Sequence, residues 1–310
     1  MTATTCLACG GALAPWREVR AGEPSDPRRY RLLRCVACGS AVTDSPPPGA
    51  DAYETGIYAP APPRAPALVG ALQRAAAAQP VRMLRRAGLE PGARVLDVGA
   101  GAGRLVGALR RAGFDARGIE PSERGVQRAA AAGLPVVRAA LDEHDETGLR
   151  AVVLWHVLEH LDRPEDALRL AAGWLAPGGV ALVAVPNAAS LQAGIGGEGW
   201  LHWDAPRHRF HLTPAGLNAL FRGAGLEPER TAHMVWEHNP AGMWMALLSR
   251  AGMTPGFPFH LLKRNVPARP RDLALLAAGV PLAPVALALE AGAAAARRGG
   301  TIAAVARKPR

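Results

Sequence analysis

The sequence predicts an α/β fold: a doubly wound sheet, preceded by a small cysteine-bearing module and interrupted near its end by an apolar helical insertion. Three observations carry this. Short apolar runs alternate with helical stretches of about ten residues between 94 and 186, a pattern that buries a parallel sheet under helices on both faces. Four cysteines fall as two C-x-x-C pairs near the start, and an apolar run occupies 273–289. With 310 residues, 49% of them hydrophobic, the chain can bury one large core and a small one.

The cysteines come first in the chain. Cys6 and Cys9 form "CLAC" and Cys35 and Cys38 form "CVAC", each pair followed directly by glycine. Two-residue spacing turns both sulfurs of a knuckle toward one point, and the glycine lets backbone amides approach the thiolates. Four such sulfurs suit a tetrahedral zinc ion, with two disulfides or free thiols as the alternatives. A zinc held by four protein atoms has no position for water and is structural. The start "MTATTCLACGG" has no basic segment followed by an apolar one, so no secretory signal is read and the cytoplasm is the expected compartment. This module is assigned to residues 1–45.

Next, "DSPPPGADAYETGIYAPAPPRAP" reads as a proline-rich linker that passes into a lead-in helix, together 46–80. A core domain follows over 81–238. Its expected strands are "RVLDVG" (94–99), "ARGIE" (116–120), "PVVRAA" (135–140), "AVVLWH" (151–156) and "VALVAVP" (180–186), with helices near 103–112, 122–132 and 164–175. "HMVWEH" (233–238) and "TIAAVARKP" (301–309) are the candidates for a closing hairpin, which makes a seven-stranded Rossmann-like sheet. Between them lies the insertion, 239–299, and the last strand occupies 300–310.

The stretch "VLDVGAGAGRL" states the chemistry most directly. Gly99, Gly101 and Gly103 alternate after a strand, and Arg104 stands where a dinucleotide fingerprint carries its last glycine. Asp97 lies where a pyrophosphate would sit and would repel it, yet it would attract a ligand bearing an amine and a sulfonium. S-adenosylmethionine is such a ligand. The second strand ends in "GIEPS", which puts Glu120 seventeen residues beyond Gly103, placed to accept hydrogen bonds from ribose hydroxyls.

"VLDVGAGAGRL", "GIEPS" and "VVLWHVLEHL" resemble successive motifs of the class I S-adenosylmethionine-dependent methyltransferases, over residues 92–236. Within them the chain is similar to a subgroup with an N-terminal zinc ribbon, which includes sugar and glycan methyltransferases. The resemblance implies that Asp97, Gly99, Ala100, Gly101 and Gly103 hold the methionine portion. It gives Glu120 and Pro121 the ribose, Asp142 the adenine amine, and it sets Trp155 and His156 at the mouth of the site.

Methyl transfer from a sulfonium needs the nucleophile held in line, and a base only where the acceptor carries a proton. The stretch "GEGWLHWDAPRHRFHLTP" (197–214) supplies histidines and aromatics: Trp200, Trp203 and Phe210 as a wall for the acceptor, His208 as the base, with His160 and His156 as further catalytic candidates. "DAPRH" resembles the equivalent loop of the subgroup. The strand-four turn "LWHVLEH" lacks the Asn/Asp-Pro-Pro-aromatic element of enzymes that methylate base amines. The formal charge of +10 comes from scattered arginines, Lys263 and Lys308 being the only lysines, so nucleic acid is not expected as a partner.

The insertion has three readings: a helical cap or dimer surface, a membrane-surface helical hairpin giving peripheral membrane contact, and a true span. The subgroup's sugar C-methyltransferases carry a large C-terminal domain that this chain lacks. That leaves small-molecule and glycan- or lipid-linked acceptors, methylated at oxygen or carbon. From a different class, a catalytically silent zinc-ribbon adaptor would use the same fold to bind a protein partner.

Overall fold

The computed structural model describes residues 4–49, 70–71, 74–263 and 266–310. The expected linker falls largely on 50–69, outside the described residues. In chain order the elements begin with β1 (Leu13–Arg20), β2 (Arg29–Cys35), β3 (Ala41–Thr43), α1 (Ala78–Arg86), β4 (Arg94–Val98), α2 (Arg104–Arg111), β5 (Asp115–Glu120), α3 (Glu123–Ala131), β6 (Val136–Arg138), β7 (Leu149–Trp155), α4 (Pro164–Trp174) and β8 (Leu175–Pro186). There follow α5 (Leu191–Gly196), β9 (Phe210–His211), α6 (Pro214–Gly223), β10 (Glu227–Ala232), α7 (Asn239–Arg250), α8 (Phe257–Leu262), α9 (Pro270–Gly279), α10 (Ala283–Ala295) and β11 (Thr301–Arg307). Two compact units result. A sheet unit comprises Ala71–Val185, Leu217–Ala232 and Ala303–Arg310, and a ribbon unit comprises Met1–Gly70, Pro186–Gly216 and His233–Ile302.

The sheet has seven strands in the order β10-β11-β8-β7-β4-β5-β6. β4 pairs in parallel with β5 and β7, as do β5 with β6 and β7 with β8. Val95, Leu96, Val152, Val153, Leu154 and the run from Val180 to Val185 are all buried, which explains why these strands are continuously apolar and do not alternate. α2, α3 and α4 begin and end within two residues of the expected helices. Ser122 caps α3 by accepting from the Gly125 amide.

The closing hairpin differs from expectation. Its first strand is β10, antiparallel to β11, whereas 233–238 is a turn that leads into α7. β10 reads "EPERTA", is partly exposed, and carries Pro228 beside a register shift. Those are the marks of an edge strand, where water satisfies the outer backbone groups and apolar periodicity is lost.

In the ribbon unit, β1, β2, β3 and β9 form a four-stranded antiparallel sheet. Val19, Tyr30 and Leu32 of this sheet share one core cluster with Trp200, Trp203, Ala205 and Ala246. The cysteine module therefore has no separate core; it is packed with the 186–205 stretch and α7. α9 and α10, joined by a 3-10 turn at Val280–Leu282, make a single 26-residue rod. Pro281 and Pro284 fall in that turn and in the first turn of α10, positions whose amides need no intrahelical acceptor.

Candidate active site

In the sheet unit the candidates gather at the carboxyl ends of neighbouring strands, where open α/β sheets bind ligands. Asp97 near the end of β4 lies in register with Gly118 of β5 and Val153 of β7. Beyond it Gly99, Gly101 and Gly103 have φ of 68°, 53° and 73°, and Gly103 is the N-cap of α2. Three left-handed residues in five explain the glycine spacing, because any side chain would be strained there. The loop is also pressed onto its neighbours: a Cβ on Gly99 would meet Val157 Cγ2 at 2.6 Å, and one on Gly118 would meet the Ala100 Cβ at 2.5 Å.

Glu120 locks this loop. It accepts hydrogen bonds from the Gly101 amide at 2.8 Å and from the Ser122 amide at 2.9 Å, Pro121 lying between Glu120 and the donor Ser122. Asp97 is buried, and none of the described residues hydrogen-bonds its carboxylate. Burial, reinforced by the charge of Glu120, pushes its pKa up to about 8. The site thus holds an acid whose ionised form lacks a counter-charge, and a cationic ligand supplies one.

At the end of β7, Trp155 is half-buried and His156 adopts φ 58°, a strained left-handed turn for a histidine. That turn brings the His156 Nδ1 to 2.9 Å from Oε1 of buried Glu159. Burial alone would raise Glu159, but the hydrogen bond with His156 and the charges of His156 and His160 outweigh it and hold the carboxyl below its ordinary range. His160 ends the 3-10 turn Leu158–His160, and Asp142 is exposed on the turn Leu141–Glu143. Glu159 thus has His156, three residues upstream, as a hydrogen-bond partner, with His160 close enough to act on its charge.

The remaining candidates lie in the ribbon unit. The four cysteine sulfurs lie within 4.8 Å of one another, Cys6 to Cys38 at 3.7 Å and Cys9 to Cys35 at 3.4 Å, too far apart for disulfides. The "DAPRH" loop is built onto their sheet. Its β9 pairs with β3, Gly22 donates to the Ala205 carbonyl at 2.8 Å, and the Thr43 hydroxyl donates to the His208 carbonyl at 2.7 Å. Buried Arg207 donates through Nε to both oxygens of Asp204 at 3.1 Å and lies 3.6 Å from Glu23. His208 is buried, and its Nδ1 donates to the His202 carbonyl at 2.8 Å, so Nε2, 3.8 Å from Asp204 Oδ2, is the basic nitrogen of the neutral ring.

One expectation changes here. Trp200, Trp203 and Phe210 do not line an acceptor wall; all are at most 2% exposed, and both indole N–H groups find internal acceptors, Gln192 Oε1 and the Gly197 carbonyl. Large aromatics with a polar handle bury whenever a partner is in reach. His211 of the same stretch is also buried, and burial and then the charge of Arg209 lower its pKa to about 3.

A left-handed glycine loop after the first core strand, an acid two residues before it, a second acid ending the next strand, and this strand order define the class I S-adenosylmethionine-dependent methyltransferases. Comparison with known proteins agrees. A methyltransferase domain family matches residues 70–231, and the chain belongs to it. It is 33% identical over 172 residues to a ubiquinone biosynthesis O-methyltransferase of Bordetella avium, covering 50% of this chain and 69% of that one. With the enzyme of the same description from Caulobacter sp. (strain K31) it shares 36% identity over 147 residues, 43% of this chain and 58% of that one, so part of the curated relatives' length has no counterpart in the match. Among solved structures, the complex between the Haloferax volcanii Trm112 methyltransferase activator and a methyltransferase contains a chain similar in fold, with TM-score 0.50 and 19% identity over 76% of this chain and 90% of that one.

Proposed function

We propose that the protein transfers the methyl group of S-adenosylmethionine to an oxygen or carbon of a small-molecule or glycan- or lipid-linked acceptor, in the cytoplasm, with peripheral membrane contact through residues 239–299. The observation that carries the cofactor side is Asp97: a buried carboxyl beside three left-handed glycines, without a counter-charge of its own. Asp97, Gly99, Ala100, Gly101 and Gly103 would hold the methionine portion, Glu120 and Pro121 the ribose, and Asp142 the adenine, with Trp155 at the rim. The sulfonium supplies a good leaving group. Acceptors methylated at oxygen are supported by the similarity to ubiquinone biosynthesis O-methyltransferases.

His208 is the base in this reading, with His156 and His160 as the further candidates. Its Nδ1–H is fixed on a backbone carbonyl, which orients Nε2 to take the acceptor proton as the methyl arrives. Cys6, Cys9, Cys35 and Cys38 would bind a structural zinc. Thiolates at about 2.3 Å around one ion are roughly 3.8 Å apart, and the observed separations come close to this. A Cβ on Gly11 would lie 2.9 Å from the Cys35 sulfur, so the cradle requires that glycine.

Calorimetry of S-adenosylmethionine binding, with Asp97→Ala as the comparison, tests the cofactor side: micromolar binding lost in the variant is the expected result, and unimpaired binding sinks the assignment. Labelled methyl transfer to a panel of phenolic, sugar and lipid-linked acceptors tests the rest. Transfer to none of them, with cofactor binding intact, would favour an adaptor that binds cofactor without turnover.

A further inference from the structure

The rod formed by α9 and α10 has a mean hydropathy of 1.9 over its most apolar 18-residue window, yet only 17% of that window is buried. A core helix of that composition would be enclosed. Here a narrow seam faces inward at Asp272, Gly279, Ala286, Glu290 and Ala293. Leu273, Val280, Leu282, Val285, Leu287 and Leu289 are exposed, Val280 at 61%.

The charges of the insertion are sorted in the same way. Residues 239–299 contain two acids, and both point inward. Asp272 accepts from the amide and hydroxyl of Thr254, each at 2.9 Å. Glu290 accepts from Gln192 at 2.8 Å, Asn239 at 2.7 Å and the Gly300 amide at 2.8 Å. Arg250, Arg269, Arg271, Arg297 and Arg298 are exposed, two of them just at the start of the rod and two just past its end. Among the described residues, the solvent-facing surface of the insertion is therefore apolar and basic, without an exposed carboxylate.

We propose that this surface docks in the plane of a bilayer that carries anionic lipids, the leucines and valines entering the headgroup–acyl boundary and the arginines meeting lipid phosphates. This rests on the membrane-contact part of the proposed function and gives it a chemistry and a geometry. A second copy of the chain is the poorer occupant, because the insertion offers no exposed carboxylate among its described residues to pair with the partner's arginines. A span is excluded by the seam: to cross the hydrocarbon the rod would have to leave α7 and break the hydrogen bonds of Asp272 and Glu290.

The test is flotation of the intact protein with vesicles of phosphatidylcholine alone and of phosphatidylcholine with 30% phosphatidylglycerol, at about 0.1 M salt. Binding at least tenfold stronger to the anionic vesicles is expected, falling by about tenfold or more in Arg297→Gln/Arg298→Gln. Val285→Asp/Leu289→Asp should abolish it, and because both positions are exposed the variant should keep its melting temperature and its S-adenosylmethionine affinity. Equal binding to both vesicle types, or no binding to either, overturns the inference. So does a dimer in vesicle-free solution that the aspartate variant dissociates, which would make a second copy the occupant. Each of these outcomes leaves cofactor binding, measured without vesicles, free to stand or fall alone.

Discussion

If Asp97 is a protonated acid in the free protein and a carboxylate beside a cationic ligand, cofactor binding must release a proton. With a pKa of about 8, roughly a tenth of the free protein is ionised at pH 7 and about a hundredth at pH 6. A ligand that selects the ionised form loses that fraction from its affinity, about tenfold at pH 7 and about a hundredfold at pH 6, and nothing well above pH 8. Calorimetry at pH 7 in buffers of different ionisation enthalpy should therefore report close to one proton released per S-adenosylmethionine bound, and affinity should rise about tenfold between pH 6 and pH 7. The ligand amine titrates as well, so the decisive quantity is the ratio of wild type to Asp97→Asn. Stability follows the opposite course. A carboxyl whose folded pKa is raised stabilises the fold fully below its unfolded value near 3.8, and that contribution is lost as pH rises through about 8. The upper limit is near 6 kcal/mol, at about 1.4 kcal/mol per unit. Asp97→Asn should accordingly melt higher than wild type at pH 8.5 in the absence of ligand, with the difference closing toward pH 5. Identical pH profiles for the two proteins, in binding and in melting, would refute the reasoning.

The other expectations are separable from this one. Protein purified without chelator should contain one zinc per chain by metal analysis, lost in Cys35→Ser; the variant should unfold the ribbon sheet while S-adenosylmethionine affinity stays within about threefold. His208→Ala should leave cofactor affinity within about threefold and lower turnover by roughly a hundredfold or more, the range of a lost general base, as read from labelled methyl transfer. Glu290→Ala strands buried donors of Gln192, Asn239 and Gly300, and denaturant unfolding should show a loss of roughly 3 kcal/mol with no change in cofactor affinity.

What could be read in advance follows from where each residue's constraint originates. The central strands were legible because both faces are buried, which leaves an uninterrupted apolar run at 151–154 or 180–185. The glycine loop was legible because its backbone is left-handed, and few residues other than glycine tolerate that. β10 was not, since its outer side faces water and its composition answers to solvent. β9 is two residues long and exists only through its pairing with β3, a contact of about 170 residues' separation that no local pattern encodes. The aromatic stretch 200–210 misled for a related reason: tryptophans that line a ligand wall and tryptophans that fill a core look alike in sequence, and what separates them is whether Gln192 and the Gly197 carbonyl stand within reach of the ring nitrogens.

The cysteine-bearing sheet also anchors the "DAPRH" loop. That loop has little regular structure of its own; β9 supplies two residues, and the rest hangs on groups donated by the ribbon sheet. Thr43 alone holds it three times, donating its hydroxyl to the His208 carbonyl, its amide to the Arg209 carbonyl, and pairing its hydroxyl with His211 Nε2. Glu23 and Gly22 hold Arg207 and Ala205 from the β1–β2 turn. Cys35 ends β2, and Cys38 offers its carbonyl to the Thr213 hydroxyl just beyond His211. A metal that fixes Cys38 therefore steadies the Thr213 end of the segment bearing His208, while the β1–β2 turn holds its Ala205 end. The glycine loop and Glu120, by contrast, are secured entirely by strand ends of the sheet unit. Loss of zinc should then act on turnover before it acts on cofactor affinity, because the proposed base hangs on the ribbon sheet and the proposed cofactor residues do not.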